Sequence, residues 1–360
     1  MNRLPRTSAL QSRVTLPALT GVRFFAAFYV VLFHALPWLS AHFTLPDPLR
    51  TFLSNGYLAV ALFFLLSGFI LAYTYEGHVD GPRNWAKFWE ARFARIYPVY
   101  FLSLLLALPF QSHLTLASSF SVVAMVQAWN PLHPEWTGAW NYPAWSLSVE
   151  GFFYLCFPFL QKLVSRFSSR ALTTCIIVAG LICVLGHTPM QGLGNWGLNT
   201  TFSRFLPLPL LRIPEFILGI SLGNYFLRRG SVCRGTVSTA LASVAVVILL
   251  SLPIGPWVSL VVVPFGFLIF DLADPENSIG ALLSTRLMVL LGGASYSIYL
   301  LQAPFRDWVR ALSDRAPHNI AKLGTPLTPI LLVGFSIIVF KVWEEPLRRT
   351  IRRWFAAKPV

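Results

Sequence analysis

Arg23 and His34 stand in the first long apolar run of this 360-residue chain, Gly21 to Leu39, with nothing charged between them. An α-helix turns about 100° per residue, so a gap of eleven residues is about three turns plus 20°. Both side chains therefore project from one side of a helix, about 16 Å apart along its axis. In a membrane span that spacing sets a guanidinium near one face and an imidazole near mid-bilayer. Ionisable groups at such depth are costly and by default mark a functional site. Neutral imidazole accepts a proton near pH 7, which gives His34 the chemistry of a general base. The competing role is a core histidine bonded to a neighbouring helix. No histidine or carboxylate follows His34 at three or four residues, so a metal site is not expected.

Arg92 and Arg95 come one helical turn apart within Phe88-Trp89-Glu90-Ala91-Arg92-Phe93-Ala94-Arg95-Ile96-Tyr97-Pro98, read as an inner connection leading into a span. Paired guanidinium forks suit phosphate better than single ammonium charges do; a purely topological role competes. Carboxylates are scarce, with Asp and Glu totalling 14. Glu150 follows Trp145-Ser146-Leu147-Ser148-Val149 and shares a face with Ser146, and it is the carboxylate expected to orient or charge His34. Glu215 lies one turn from Arg212 and reads as its ion-pair partner. Glu344 and Glu345, before Pro346, read as helix-end partners of Arg348 or Arg349. Ser67-Gly68, a small pair inside the bulky run Phe63-Phe64-Leu65-Leu66-Ser67-Gly68-Phe69, permits either close helix approach or passage of a slender ligand chain.

The elements that must position these residues follow from composition. The chain is 55% hydrophobic and 12% charged, with a mean hydropathy of +0.62. Apolar runs long enough to span lipid recur throughout, which predicts an all-α, polytopic membrane bundle. Spans are expected near 17–39, 56–75, 98–129, 145–161, 171–187, 211–227, 236–252, 256–272, 287–303 and 325–343. The net charge of +14 comes from clusters at 3–13, 83–95, 162–170, 228–234 and 348–358, which orient spans and meet anionic lipid rather than nucleic acid. These clusters share one side only if 98–129 crosses once, broken or with a re-entrant stretch. Ten spans with both termini cytoplasmic result. Arg306, Arg310, Arg315 and Lys322 then fall outside, against the charge rule. The basic start is read as the lead-in to a retained span rather than a cleaved signal, and no soluble domain of useful size remains. Cys156, Cys175, Cys183 and Cys233 show no paired spacing and read as packing residues. The segment 130–144, rich in tryptophan and proline, reads as an interfacial aromatic belt or a sugar-stacking platform.

In order along the chain, Arg23/His34, Phe63 to Phe69, Arg92-Phe93-Ala94-Arg95-Ile96-Tyr97-Pro98, Trp145 to Glu150, Arg212-Ile213-Pro214-Glu215-Phe216, Ser295-Tyr296-Ser297-Ile298-Tyr299-Leu300 and Glu345-Pro346 resemble the acyltransferase-3 family of integral membrane acyltransferases of cell-surface glycans. The resemblance covers about Leu16 to Pro346, so the chain divides into a tail at 1–15, the membrane domain at 16–346 and a basic tail at 347–360. It implies a ten-span core in a bacterial inner membrane and acyl transfer, usually acetyl, from cytoplasmic acyl-CoA to a hydroxyl of a surface polysaccharide, lipid-linked saccharide or glycolipid. It places the family's membrane histidine on His34, as base or acyl relay, and its arginine pair on Arg92 and Arg95. Arg23, Arg92 and Arg95 would then hold the phosphates of coenzyme A, a donor substrate and not a resident cofactor. Ser67 and Gly68 would admit its pantetheine arm, and Trp145 and Gln302 would contact substrate.

Many relatives carry a His-x-Pro after the Ser-Tyr-Ser-Ile-Tyr-Leu run, where this chain has Gln302-Ala303-Pro304. Glutamine hydrogen-bonds but does not shuttle protons at neutral pH, so a positioning role is expected at this site. The alternatives from other classes are a transporter or flippase of a saccharide-lipid or acyl substrate, and a scaffold that binds coenzyme A without turnover. Matching halves with broken helices, the usual mark of a transporter, are not evident in the sequence.

Overall fold

The computed structural model describes residues 15–112, 115–191, 206–230, 235–315 and 318–356. The basic residues of the first tail, Arg3, Arg6 and Arg13, and the packing residue Cys233 lie outside them. In chain order the helices are α1 (Pro17–His42), α2 (Asp47–Ser54), α3 (Ala59–Tyr75), α4 (Pro82–Ala107), α5 (Leu116–Val123), α6 (Trp145–Val164), α7 (Ser169–Gln191), α8 (Leu208–Arg229), α9 (Thr236–Ser251), α10 (Val262–Leu272), α11 (Ser278–Leu283), α12 (Arg286–Ser313), α13 (His318–Val339) and α14 (Glu345–Ala356). No strand occurs among the described residues. Nine helical segments there are long and apolar enough to cross a membrane, and the apolar α9 is shorter. Together they match the ten expected spans one for one. Cys156, Cys175 and Cys183 form no disulfide.

The third span differs from its expected bounds. It begins at Pro82, a residue suited to a first helical turn because its missing N–H would be unpaired there anyway. Arg92 and Arg95 consequently sit in the middle of α4, not in a connection before it. After Ala107 a tight turn (Leu108–Phe110) ends the helix. α5, only 8 residues long, is about 12 Å and cannot cross a core of about 30 Å. Residues 98–129 therefore cross once.

Helix direction supports the same count. Gly292 of α12 lies against Thr20 of α1, where a Cβ would meet the Thr20 carbonyl oxygen at 1.9 Å. Ten residues further along α12, Gln302 reaches His34 of α1. The two helices therefore run parallel, which requires an odd number of crossings between them. Beyond α3, α4, α6, α7, α8 and α10 that requires one more crossing, from either α9 or 108–129; α5 is too short to supply it, so α9 does.

Glycines fix the tightest crossing, that of α3 on α8. A Cβ on Gly68 would lie 2.3 Å from the Phe216 carbonyl oxygen, and one on Gly219 would lie 2.2 Å from that of Leu65. Lipid offers no hydrophobic gain for helix association, so backbone proximity supplies it through dispersion. Phe69, Phe153 and Phe216 fill the space beside the crossing and are fully buried; the rings of Phe153 and Phe216 stack at 4.7 Å. Gly68→Leu and Gly219→Leu are each expected to force this crossing apart and to cost at least the roughly 1–3 kcal/mol typical of overpacking. Thermal unfolding of detergent-solubilised protein checks this; an unshifted midpoint contradicts it.

Candidate functional site

Two cavities lie along the face of α1 that carries Arg23 and His34. The first, about 120 Å³, is lined by Arg23, Ser67, Arg92, Arg95, Glu150 and Tyr154 among others. The second, about 440 Å³, is lined by His34, Trp38, Tyr142, Gln302, Arg306 and Arg310 among others. The helical spacing that put Arg23 and His34 on one side of a helix thus becomes a spacing between two chambers.

In the first cavity α4 supplies two arginines held in different ways. The Arg92 guanidinium lies over the rings of Tyr75, Phe88 and Tyr154, at 5.7, 5.8 and 5.8 Å, and is 3.4 Å from the Tyr75 hydroxyl. An aromatic cage of this kind holds a cation without neutralising it. Arg95 lies over Tyr296 at 5.5 Å and forms a salt bridge with Glu344, whose side chain is wholly buried. Glu344 also accepts from the Ser297 hydroxyl at 2.9 Å. This corrects the expectation of a helix-end pair for Glu344. A π-helical turn at Phe340–Glu344 precedes Pro346, which has no N–H to continue the regular ladder. The widened turn leaves Glu344 facing inward and Glu345 outward. Glu345 takes the expected helix-end role, 2.7 Å from Arg349. Arg348, read from sequence as tail charge, acts electrostatically on both Arg92 and Arg95.

Glu150 also belongs to this cavity and not to that of His34. It accepts from Tyr154, one turn along α6, at 2.5 Å and from Ser67 at 3.4 Å, and its charge acts on Arg23. The expected meeting of Glu150 with His34 does not occur: Glu150 lines the cavity of Arg23 and is absent from that of His34. Ser67 lines the cavity; Gly68, the next residue, faces α8 and leaves no channel for a ligand. Trp145 is absent from both linings. It packs edge-on to Phe64 and over the Arg212 guanidinium at 5.9 Å, so it is a core residue. Arg212 and Glu215 make the anticipated pair, bidentate at 2.7 and 3.0 Å, and are buried.

His34 is oriented by Gln302. Its Nδ1 lies 2.9 Å from Gln302 Oε1, while Gln302 Nε2 donates to the Tyr299 carbonyl at 2.7 Å. A carbonyl oxygen only accepts, so the amide is anchored with its nitrogen towards Tyr299 and its oxygen towards His34. Nδ1 must then carry the hydrogen, and in the neutral ring Nε2 is the proton-accepting nitrogen. Tyr142 meets the imidazole edge-on at 5.8 Å. Sequence reasoning missed Tyr142, Trp38, Arg306 and Arg310 as lining residues. The four-residue spacing of Gln302, Arg306 and Arg310 on one helix was the available signal.

The tryptophan-rich loop folds back on the bundle. Asn141 donates to Ser103 Oγ and to the Leu300 carbonyl, each at 2.9 Å, which brings Tyr142 to the cavity. Trp136 stacks on His133 at 4.5 Å. Glu135, exposed at the tip of this loop, is held below the usual carboxylate range by its own backbone N–H and by His133. Between the cavities stands a small polar partition. Ser146 donates to the Tyr299 hydroxyl at 2.9 Å, and that hydroxyl donates to the Pro143 carbonyl at 3.1 Å. No group of three or more His, Cys, Asp or Glu side chains suited to a metal occurs among the described residues.

Glu344→Ala would strand Arg95 in the bundle; removing one member of a buried pair costs roughly 3–5 kcal/mol. The expected outcome is a large fall in thermal stability, relieved by adding Arg95→Met. An additive double mutant would show that the pair is not coupled.

Residues 16–342 match a family model described as an acyltransferase domain. Among curated proteins the chain is similar to acyltransferase MdmB of Streptomyces mycarofaciens, with 33% identity across 80% of this chain and 78% of the relative. It is also similar to O-acetyltransferase OatA of Staphylococcus aureus, with 24% identity across 98% of this chain and 60% of the relative. A shorter likeness, 43% identity across 24% of this chain and 41% of the relative, links it to protein 2 in the picA locus of Rhizobium radiobacter. No solved structure matches.

Proposed function

The chain belongs to the acyltransferase family that its residues 16–342 match, and from that premise we propose an O-acyltransferase, most simply an O-acetyltransferase, that uses acyl-CoA from the cytoplasm. The observation that carries the reading is the 2.9 Å contact of His34 Nδ1 with the amide oxygen of Gln302, whose nitrogen is anchored on the Tyr299 carbonyl. A histidine whose Nδ1 donates to Gln302 offers Nε2 as a base to a hydroxyl in the larger cavity.

The arginine cavity is the proposed donor site. Arg23, Arg92 and Arg95 supply three guanidinium groups there against Glu150 and the Glu344 partner of Arg95, leaving a surplus of positive charge for the phosphates of coenzyme A. Arg92, held by rings, keeps its charge available; Arg95, held by Glu344, is the more structural of the two. The thioester end passes Ser67 and the Ser146–Tyr299 partition towards His34. The acceptor, a hydroxyl of a surface polysaccharide, lipid-linked saccharide or glycolipid, enters the His34 cavity from the opposite side.

In the reaction, His34 Nε2 takes the hydroxyl proton as the oxygen forms its bond to the thioester carbonyl carbon. The carbon–sulfur bond then breaks, and the departing thiolate of coenzyme A receives the proton from the imidazolium. An acyl-imidazole relay would use the same nitrogen. A base of this kind contributes roughly 10²–10⁴-fold. The Gln302-Ala303-Pro304 departure from the family pattern is consistent with this scheme, since an amide suffices to hold a tautomer. The proposed setting is a bacterial inner membrane with both termini cytoplasmic, without a nucleic-acid partner.

His34→Ala is expected to abolish acyl transfer while the protein still inserts; retained activity in membranes supplied with labelled acetyl-CoA would remove His34 from the reaction. Arg92→Ala with Arg95→Ala should weaken acyl-CoA binding at least tenfold, and unchanged affinity would reduce the pair to packing. Gln302→Leu should lower kcat by about tenfold or more with the acyl-CoA KM preserved, and Gln302→Asn should not restore it, because the shorter amide does not span the gap. A fall confined to KM would contradict the orienting role.

A further inference from the structure

Arg306 and Arg310 are unexplained by topology and unused by the transfer chemistry. In the orientation expected from the other basic clusters they lie on the outer side, where the charge rule disfavours them. On α12, Gln302, Arg306 and Arg310 recur every four residues and all face the His34 cavity. Each step is about 6 Å along the helix axis, so the guanidinium groups form a ladder that rises from the orienting glutamine towards the cavity mouth. Among the described residues that line this cavity none is Asp or Glu. Arg306 has an ion pair with Asp307, made by Nε at 3.5 Å, but Asp307 is not part of the lining. The opposite walls are largely apolar, with Trp38 on α1 and Pro326, Pro329 and Leu332 on α13, Thr328 being the one polar residue that α13 adds.

We propose that this cavity takes an acceptor bearing an anionic group, phosphate or carboxylate, placed so that Arg306 and Arg310 hold the anion while the neighbouring hydroxyl meets His34. The inference rests on the acyltransferase reading and names its acceptor class. Tyr142, Thr328 and Gln302 offer a neutral sugar a few hydroxyl and amide partners, but such a ligand leaves two guanidinium groups in a lining without a carboxylate unanswered. Guanidinium forks match phosphate and carboxylate oxygens in pairs. The two rungs of the ladder, about 6 and 12 Å from Gln302, bracket a separation of one sugar ring or two between the reacting hydroxyl and the anion. At about 440 Å³ the cavity is within the usual range for a small-ligand site. Trp38 and the proline-rich wall suit the apolar face of such a ring.

The test uses membranes of the producing cell, containing the full chain, incubated with radiolabelled acetyl-CoA; His34→Ala membranes give the background. The labelled product is passed over an anion exchanger before and after phosphatase or mild acid, and before and after carbodiimide reduction. Retention lost only to phosphatase or acid identifies a phosphate-bearing acceptor, and retention lost only to carbodiimide reduction identifies a carboxylate; either supports the proposal. In parallel, Arg306→Gln with Arg310→Gln should lower transfer at least tenfold while the acyl-CoA KM and the amount of membrane-inserted protein stay unchanged. Arg306→Lys with Arg310→Lys, which keeps the charge, should recover most of the rate. A neutral product, or full transfer by the double glutamine variant, overturns the proposal and leaves these arginines as contacts for lipid headgroups. Absence of any His34-dependent product instead defeats the acyltransferase reading, and this inference falls with it.

Discussion

Everything polar in this bundle is arranged around the cost of holding charge away from water. Removing an ion from water to a low-dielectric interior costs several kcal/mol even after relaxation, so each deep cation needs a specific answer. Beside Arg23, which faces the charge of Glu150 across the first cavity, three arginines show three such answers. Arg212 is neutralised by a bidentate carboxylate one turn away and roofed by Phe64 and Trp145. Arg95 is neutralised by a carboxylate from a distant helix, Glu344, fixed in turn by Ser297. Arg92 sits among aromatic rings that stabilise its charge without cancelling it. Of these three, only Arg92 keeps a charge that no carboxylate cancels, which is what the proposed donor site requires of it.

The same constraint shapes the backbone. Gly68 and Gly219 bring α3 and α8 into backbone contact, and Gly292 does so for α12 and α1. Close crossings leave little room between these helices, so space opens along α1 in two places and not in a continuous groove. Arg23 opens onto one chamber and His34 onto the other, with Ser146, Tyr299 and the Pro143 carbonyl between them. Tyr299 contributes its hydroxyl to that partition and its carbonyl to the anchoring of Gln302. One residue thus ties the boundary between the chambers to the orientation of the histidine.

Much of this was legible in the sequence for identifiable reasons. Span number and parity follow from hydropathy and basic clusters, since lipid excludes unpaired backbone and only helices of sufficient length satisfy it. The Arg23/His34 face and the Arg212–Glu215 pair follow from helical periodicity, which acts within one element. Misassignments came where a residue's role depended on a second element. Glu150 shares an end of the bundle with Arg23, Ser67 and Tyr154 and not with His34. Trp145 fills core, and Gly68 serves a crossing. Arg92 and Arg95 stand inside a span because Pro82 starts their helix two turns or more before them.

The sequence by itself determined an all-α membrane bundle, its number of crossings, the shared face of Arg23 and His34, and a membership written in ordered motifs. Those properties are set by local hydropathy and by the 3.6-residue repeat, and neither needs to know which helices are neighbours. Tertiary structure alone decided that Gln302 and not Glu150 orients His34, that Glu344 pairs with Arg95 and not with a tail arginine, and that Arg306 and Arg310 open onto the histidine's cavity. Partner choice across 268 residues of chain, as between His34 and Gln302, is fixed by which helix surfaces pack. Packing depends on shape at many contacts at once, and no single motif encodes it.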